Sequence, residues 1–253
     1  MSIDRVIMRA PRVRSMPGKA ATLAAAAIVC AGLAAPAQAA IFKFYTNFSA
    51  TVNGAPNDWS YEQRPGAPGS ETLLTNGNVP FKIWRNAYGP PGLPGNTFGW
   101  DSPSLQNSVP LFFDHQNTQL WWGRGSCCGP VTLPAQSIFM HPGANGVQAV
   151  LSFLVPPKPT GQSYTSARIK GQITDVDYNG GDGVTWSVEH QVGASYTTLA
   201  TGVVYSTVPN PLSSSVVSVG FAVATGDRIN IVVDANSNEL FDLTALTGEI
   251  QLN

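Results

Sequence analysis

From Gln148 to the C-terminus, apolar and polar residues alternate in short blocks, and this period of two constrains the fold more than any other feature. Ala149, Leu151, Phe153 and Val155 share one face, with Gln148 and Ser152 on the other. Ala167, Ile169, Gly171 and Ile173 alternate with Arg168, Lys170 and Gln172; Val184, Trp186 and Val188 alternate with Thr185, Ser187 and Glu189. Val217, Val219, Phe221 and Val223 alternate with Ser218, Gly220 and Ala222, and Ile229, Ile231 and Val233 with Arg228 and Asn230. A last strand reads Gly248 to Leu252. Gly, Pro, Asn and Asp punctuate these blocks, as turns require. Each block can bury one side and leave the other in water, which antiparallel sheets do; a parallel sheet would need helical crossovers, and no helical period occurs from residue 40 onward. The expected class is all-β: an antiparallel β-sandwich or jelly roll of two packed sheets.

Residues 1–39 read as an export signal. Arg5, Arg9, Arg12, Arg14 and Lys19 make a basic leader, an apolar run spans Ala20 to Leu33, and Ala37-Gln38-Ala39 fits a small-x-small cleavage site. That run is shorter than the roughly 20 residues a bilayer span needs, so no transmembrane segment is expected. Residues 40–253 then form a single domain, secreted or periplasmic. A chain of that length buries roughly 70% of its unfolded surface, enough for one self-sufficient core. Without the leader, 9 Lys/Arg face 14 Asp/Glu, a net charge of −5. Such a surface attracts no phosphate backbone, which excludes nucleic acid as a partner. Cys30 departs with the leader. Cys127 and Cys128 are adjacent and cannot staple distant strands, which leaves free thiols, a strained vicinal disulfide or an intermolecular bridge.

The stretch 76–134 differs from the rest. Gly89-Pro90-Pro91-Gly92-Leu93-Pro94-Gly95 predicts turns, being far too short for a collagen helix. Four of the six tryptophans lie here: Trp84, Trp100, Trp121 and Trp122. Long connections around a few short strands are expected, and such loops are where a strand scaffold places binding surfaces. If Thr118 to Gly123 is extended, Trp121 and Trp122 point to opposite faces. An exposed indole can stack on a sugar ring; the plainer alternative is that these rings cover the end of the sandwich.

Ser137-Ile138-Phe139-Met140-His141-Pro142-Gly143, Asn145-Gly146 and Val150 to Pro156 suggest a family, as do Tyr164, Asp175 and Gly180-Gly181-Asp182-Gly183-Val184. Thr225-Gly226-Asp227-Arg228-Ile229 and Phe241 to Leu246 add to the pattern, with Asn47 to Ala50 and Trp59-Ser60-Tyr61 upstream. Together they resemble a secreted jelly-roll domain of bacterial extracellular proteins, often found ahead of a PEP-CTERM sorting tail and similar to modules that accompany polysaccharide-degrading enzymes. The resemblance spans most of residues 40–253 and is weakest over 85–130. It implies a galactose-binding-like or carbohydrate-module-like sandwich with no catalytic centre of its own. The chain departs from it by ending at Asn253 without a sorting tail or anchor, so a free-standing module is expected.

Asp175-Val176-Asp177-Tyr178-Asn179-Gly180 spaces oxygen ligands at alternate positions before a glycine. Asp175, Asp177, Asn179 and Asp182 are therefore candidate calcium ligands. Trp186 stands where an EF-hand loop would carry its bidentate Glu, and the competing reading is a hairpin turning at Asn179-Gly180-Gly181. Asp234, Asn236, Asn238 and Asp242 form a second oxygen-rich loop, open to the same two readings. His141, before Pro142, reads as a hydrogen-bonded turn residue at a strand end. Asp114-His115 has no evident nucleophile beside it. No G-x-S-x-G, H-E-x-x-H or paired-cysteine metal spacing occurs, although two carboxylates brought together by folding could still make a glycosidase. Asn47-Phe48-Ser49 fits a glycosylation sequon in a chain whose leader looks bacterial. The expected function is a non-catalytic module that binds a polysaccharide or glycan surface through exposed aromatics and polar loop groups. The rivals are a self-associating structural or adhesive protein of the matrix or envelope, and a secreted hydrolase.

Overall fold

A computed structural model describes residues 39–49, 51–80, 98–101, 111–115, 120–122, 131–159, 161–176, 182–205, 214–237 and 242–253. Within 76–80, 98–101, 111–115, 120–122 and 131–133 the description is of the backbone alone. These residues belong to one unit, Ala37–Asn253. The leader, Trp84, Cys127, Cys128, Asp177, Asn179 and Asn238 lie outside the described residues.

The described residues contain strands and no helix. In chain order the strands are β1 (Ala40–Lys43), β2 (Trp59–Pro65), β3 (Thr72–Leu73), β4 (Asn76–Pro80), β5 (Phe98–Asp101) and β6 (Leu111–His115). Next come β7 (Leu120–Trp122), β8 (Val131–Leu133), β9 (Ser137–His141), β10 (Val147–Leu154) and β11 (Ser166–Asp175). The last five are β12 (Val184–Val192), β13 (Ser195–Val204), β14 (Ser214–Ala222), β15 (Arg228–Ala235) and β16 (Thr244–Leu252). One sheet runs β14-β11-β16-β9-β6-β5-β4, with β1 also on β16; a second runs β13-β12-β15-β10-β2-β3. Strands β7 and β8 form a separate ladder. The pairings within both large sheets are antiparallel. The protein is an all-β sandwich.

Alternation sets the core. Ile169, Ile173, Val217, Leu246, Ile250 and Leu252 from the first sheet meet Trp59, Tyr61, Leu151, Phe153, Val188, Ile231 and Val233 from the second. Phe153 packs its ring 4.8 Å from both Trp59 and Phe42, and Phe44 meets Trp59 edge-on at 5.8 Å. Offset and edge contacts of this kind add to simple burial because they match negative ring faces to positive edges. Trp59 and Trp186 are thus core residues.

Two expectations change. Strands β11 and β12 belong to different sheets and so do not pair as the two arms of a hairpin; residues 177–181 between them lie outside the described residues. Nor is the polar face of the second sheet left to water: Ser152, Glu189 and Asn230 are buried. Many of the charged and amide side chains on that face bond one another, which offsets their burial, while Asn230 Oδ1 and Asp234 Oδ1 are buried without a hydrogen-bond partner. The alternation seen in sequence also continues into β13, which pairs with β12 across the two-residue loop Gly193-Ala194, a glycine-first connection typical of tight hairpins.

Candidate functional site

The outer face of the second sheet carries an unusual density of polar groups for a chain with only 11% charged residues. Strand parity puts them there. Trp59 and Tyr61 enter the core, so Ser60, Glu62 and Arg64 of β2 must point the other way. The register then places Arg64 beside Gln148, Glu62 beside Val150 and Ser60 beside Ser152 on β10. On the far side of β10, Ser152 faces Asn230 and Leu154 faces Arg228, and these in turn face Glu189 and Gln191 on β12.

Arg64 is the hub, only 1% exposed. Its Nη1 and Nη2 donate to both carboxylate oxygens of Glu189 at 3.1 and 2.7 Å, and its Nε donates to Glu71 Oε1 at 2.6 Å. Nη1 also reaches Gln148 Oε1 at 3.3 Å, and Gln148 donates onward to Asp234 at 2.8 Å. Burial works against the guanidinium charge, but the hydrogen bonds and charges of Glu189 and Glu71 outweigh it and hold Arg64 above its ordinary range. Arg is suited to this position because its planar fork matches two carboxylates at once.

Glu71 lies just before β3, at the end of the turn that follows β2. Its Oε2 accepts from Gly69 N at 2.8 Å and from the Tyr196 hydroxyl at 3.0 Å. Tyr196 stands on β13, the opposite edge of the sheet from β3, so residues 66–71 fold across the face to make this contact. The Tyr196 ring also lies 5.6 Å from the Arg64 guanidinium carbon. Burial, the hydrogen bond to Glu71 and its charge all push the Tyr196 phenol up, which keeps it a donor.

Beside this hub lies a cleft of about 390 Å³, lined among others by Ser60, Glu62, Glu71, Gln191, Tyr196 and Arg228. Arg228 Nη1 donates to Ser152 and Ser60 hydroxyls at 3.1 and 3.3 Å and lies 3.5 Å from Glu62 Oε1. Ser60 donates to the same Glu62 oxygen at 2.5 Å. Asn230 donates to Gln191 at 3.3 Å. Burial raises the Glu62 pKa above its ordinary 4.5, against the Ser60 hydrogen bond and the Arg228 charge. An acid whose pKa is raised by folding loses stability as pH climbs from its unfolded value through its folded one. Glu62→Gln is therefore expected to raise stability at neutral pH and to flatten the fall in urea midpoint above about pH 4.5; an unchanged pH profile would contradict this.

The sequence-predicted residues are placed as follows. Trp100 lies on β5, opposite Phe112 of β6, and Trp121 and Trp122 lie on the extended β7, opposite Thr132 and Val131. Asp175 ends β11 and is buried; Asp182 begins the approach to β12 and accepts from the Ser237 hydroxyl and, through its carbonyl, from Asn236 at 3.2 Å. Asp234 belongs to the face described above, not to a loop site. Asp242 is buried one residue before Leu243, whose carbonyl accepts from Val176 N. No cluster of three or more His, Cys, Asp or Glu suited to a metal occurs among the described residues. His141 ends β9 with Nδ1 2.6 Å from the Pro142 carbonyl, in the turn role expected of it. Among the described residues no helix is long and apolar enough to cross a membrane.

Arg64, Glu62, Glu71, Tyr196 and Arg228 escaped sequence reasoning. The signal was present in Glu62 and Arg64, two charges at period two on a strand whose other face is aromatic. In so sparsely charged a chain, such residues have to be paired.

No family model matches the chain, and no curated protein matches it. Solved structures that match part of the chain include Caldicellulosiruptor saccharolyticus carbohydrate-binding module 27-1 in complex with mannohexaose. That likeness has 10% identity and a TM-score of 0.30, covering 45% of this chain and 73% of the other. A variant of a family 29 carbohydrate-binding module complexed with cellulohexaose matches at 12% identity and a TM-score of 0.30, over 56% of this chain and 91% of the other. Arthrobacter globiformis T6 isomalto-dextranase complexed with panose matches at 13% identity and a TM-score of 0.25, over 65% and 24%. The overlap is partial in each case, and it assigns no residue of the site.

Proposed function

We propose that this is an exported, non-catalytic module that binds a polysaccharide or glycan through the outer face of its second sheet. The observation that carries the reading is the cleft beside Arg64. There a phenol, a guanidinium, two carboxylates, an amide and a hydroxyl are held by rigid strands and by one another. Sugars present many hydroxyls, each able to donate and accept, and a fixed array of mixed donors and acceptors matches that chemistry. Arg228 and Gln191 supply groups for hydroxyls, and the Tyr196 ring supplies an apolar surface for a sugar ring. Ser60, Glu62, Gln191, Tyr196 and Arg228 stand on strands and Glu71 is held by Arg64 and Tyr196, so little ordering cost falls on binding. Trp100, Trp121 and Trp122 are further stacking candidates on the short strands, and Asp175, Asp177, Asn179 and Asp182 are the candidate ligands for a calcium.

Affinity electrophoresis of the full chain against neutral polysaccharides tests this, followed by calorimetry on any that retard it. Binding in the micromolar range or weaker is expected, and Tyr196→Ala or Arg228→Ala should each weaken it at least tenfold, about 1.4 kcal/mol. If both variants bind as the unaltered protein does, the site lies elsewhere; Trp121→Ala and Trp122→Ala then decide whether the tryptophans carry it.

One observation favours the second reading, a self-associating matrix protein. Val216 is 76% exposed on β14, a strand that pairs only with β11 among the described residues. Light scattering across a concentration series separates the two: a clean monomer supports the first.

A further inference from the structure

We propose that the opposite sheet carries a second, independent site for an acidic polysaccharide, a polymer whose sugar units bear carboxylates. The site lies at a fork. Strand β16 is paired with β11 along one side, but its other side is shared: β9 takes Thr244 to Leu246, and β1 takes Glu249 to Leu252. Where β9 and β1 meet end to end, a cleft of about 510 Å³ opens over Thr247 and Gly248. Lys43, Tyr45 and Thr46 line it from one side, Gln136 from another, and Lys170 and Glu249 from the sheet.

The charges have a definite order. Lys43, Glu249 and Lys170 occupy one row across three adjacent strands, Lys43 opposite Glu249 and Glu249 opposite Lys170. All three point away from the core, since their neighbours Phe44, Ile169 and Ile250 point into it. Neither lysine forms an ion pair among the described residues. The intervening Glu249 is turned along its own strand, where Oε1 accepts from Gln251 at 2.5 Å. Two interstrand spacings put the lysine backbones about 10 Å apart. Glu249 repels an anion from the midpoint between them, so one small anion cannot be shared. Two anionic groups on one chain, each against one lysine, fit the row.

The polar lining selects a sugar acid over a plain polyanion. Thr46, Thr247 and Gln136 offer hydrogen bonds to hydroxyls between the charged groups. Gln136 holds φ at 56°, a conformation uncommon outside glycine and one that tends to persist where the surrounding structure imposes it. Arg168 lies one row further, so cations outnumber carboxylates here three to one across Lys43, Lys170, Arg168 and Glu249. On the other face, Glu62, Glu71, Glu189 and Asp234 outnumber Arg64 and Arg228. The two faces of the sandwich therefore attract ligands of different charge.

The test uses calorimetry of the full chain with polygalacturonate oligomers at low and high salt. Binding is expected, weakening severalfold or more as salt screens the lysines. Lys43→Gln with Lys170→Gln should weaken it at least tenfold, Lys43→Arg with Lys170→Arg should keep most of it, and Tyr196→Ala should leave it unchanged. That last variant keeps the two sites distinguishable: loss of neutral-glycan binding alone would leave this site standing. Both lysines lie on the outer face, so a urea midpoint will verify that the Gln pair is folded. Absence of binding by the unaltered chain overturns the proposal, as does undiminished binding by the folded Gln pair. Competition by inorganic phosphate as effective, per charge, as by the uronate oligomer also overturns it, because the cleft would then be a site for any anion.

Discussion

Arg64→Ala is expected to destabilise the fold by about 3–5 kcal/mol, the range for breaking a buried ion pair from one side. The reason is what it leaves behind. Glu189 loses a two-point partner at 2.7 and 3.1 Å, and Glu71 loses its contact at 2.6 Å, while both carboxylates stay largely out of water. A stranded buried carboxylate is worse than none, since its desolvation is no longer offset by a guanidinium. The triple variant Arg64→Met, Glu71→Gln, Glu189→Gln removes the charges together and should recover much of the loss. Urea unfolding of the two variants decides it. A loss below about 1 kcal/mol for the single variant would match an exposed ion pair and would mean that water reaches the hub. The single variant should also lose glycan affinity, because Glu71 and Tyr196 frame the cleft and both rest on Arg64.

The parts of this molecule legible in the sequence are those that local chemistry dictates. Val184, Trp186 and Val188 had to share a face whatever they packed against, and likewise Ile229, Ile231 and Val233; both sets lie in the core. What alternation leaves open is which strand lies beside which. Glu189 and Arg64 are 125 positions apart, and nothing local to either names the other. Their meeting depends on β2, β10, β15 and β12 lying side by side in one particular register, which only the assembled sheet supplies. The same holds for the connection after Asp175. Asn179-Gly180-Gly181 could turn a hairpin, and nothing in those residues foretells that β11 and β12 belong to different sheets. Aromatic residues drew attention to 76–134 because indole rings are conspicuous in any sequence. The polar face is hidden in the sequence because Ser, Gln and Glu alternating with valine look like an ordinary solvated strand.

Gly248→Ala is expected to destabilise the fold by about as much as Arg64→Ala, on backbone grounds alone. Gly248 holds φ at 132°, outside the comfortable range of any residue with a side chain. A Cβ there would sit 2.2 Å from the Lys170 carbonyl oxygen and 2.5 Å from the Gly171 Cα. Both are main-chain atoms of β11, so no side chain can swing aside and the β16–β11 ladder itself must open. Strain at a forbidden φ accounts for about 1–3 kcal/mol, and the displaced ladder adds to it. For a domain of this size, each kcal/mol lowers Tm by about 2–4 °C, so a fall on the order of 10 °C is expected. Gly226→Ala is the control that separates the two causes. Gly226 also has a positive φ, 91°, but nothing lies within 4 Å of where its Cβ would be. It should show the conformational cost alone, about 1–3 kcal/mol and without the clash. Equal Tm changes in the two variants would mean that β16 can shift away from β11 at no cost, and the fork between β1 and β9 would then lack the rigid floor that its cleft requires.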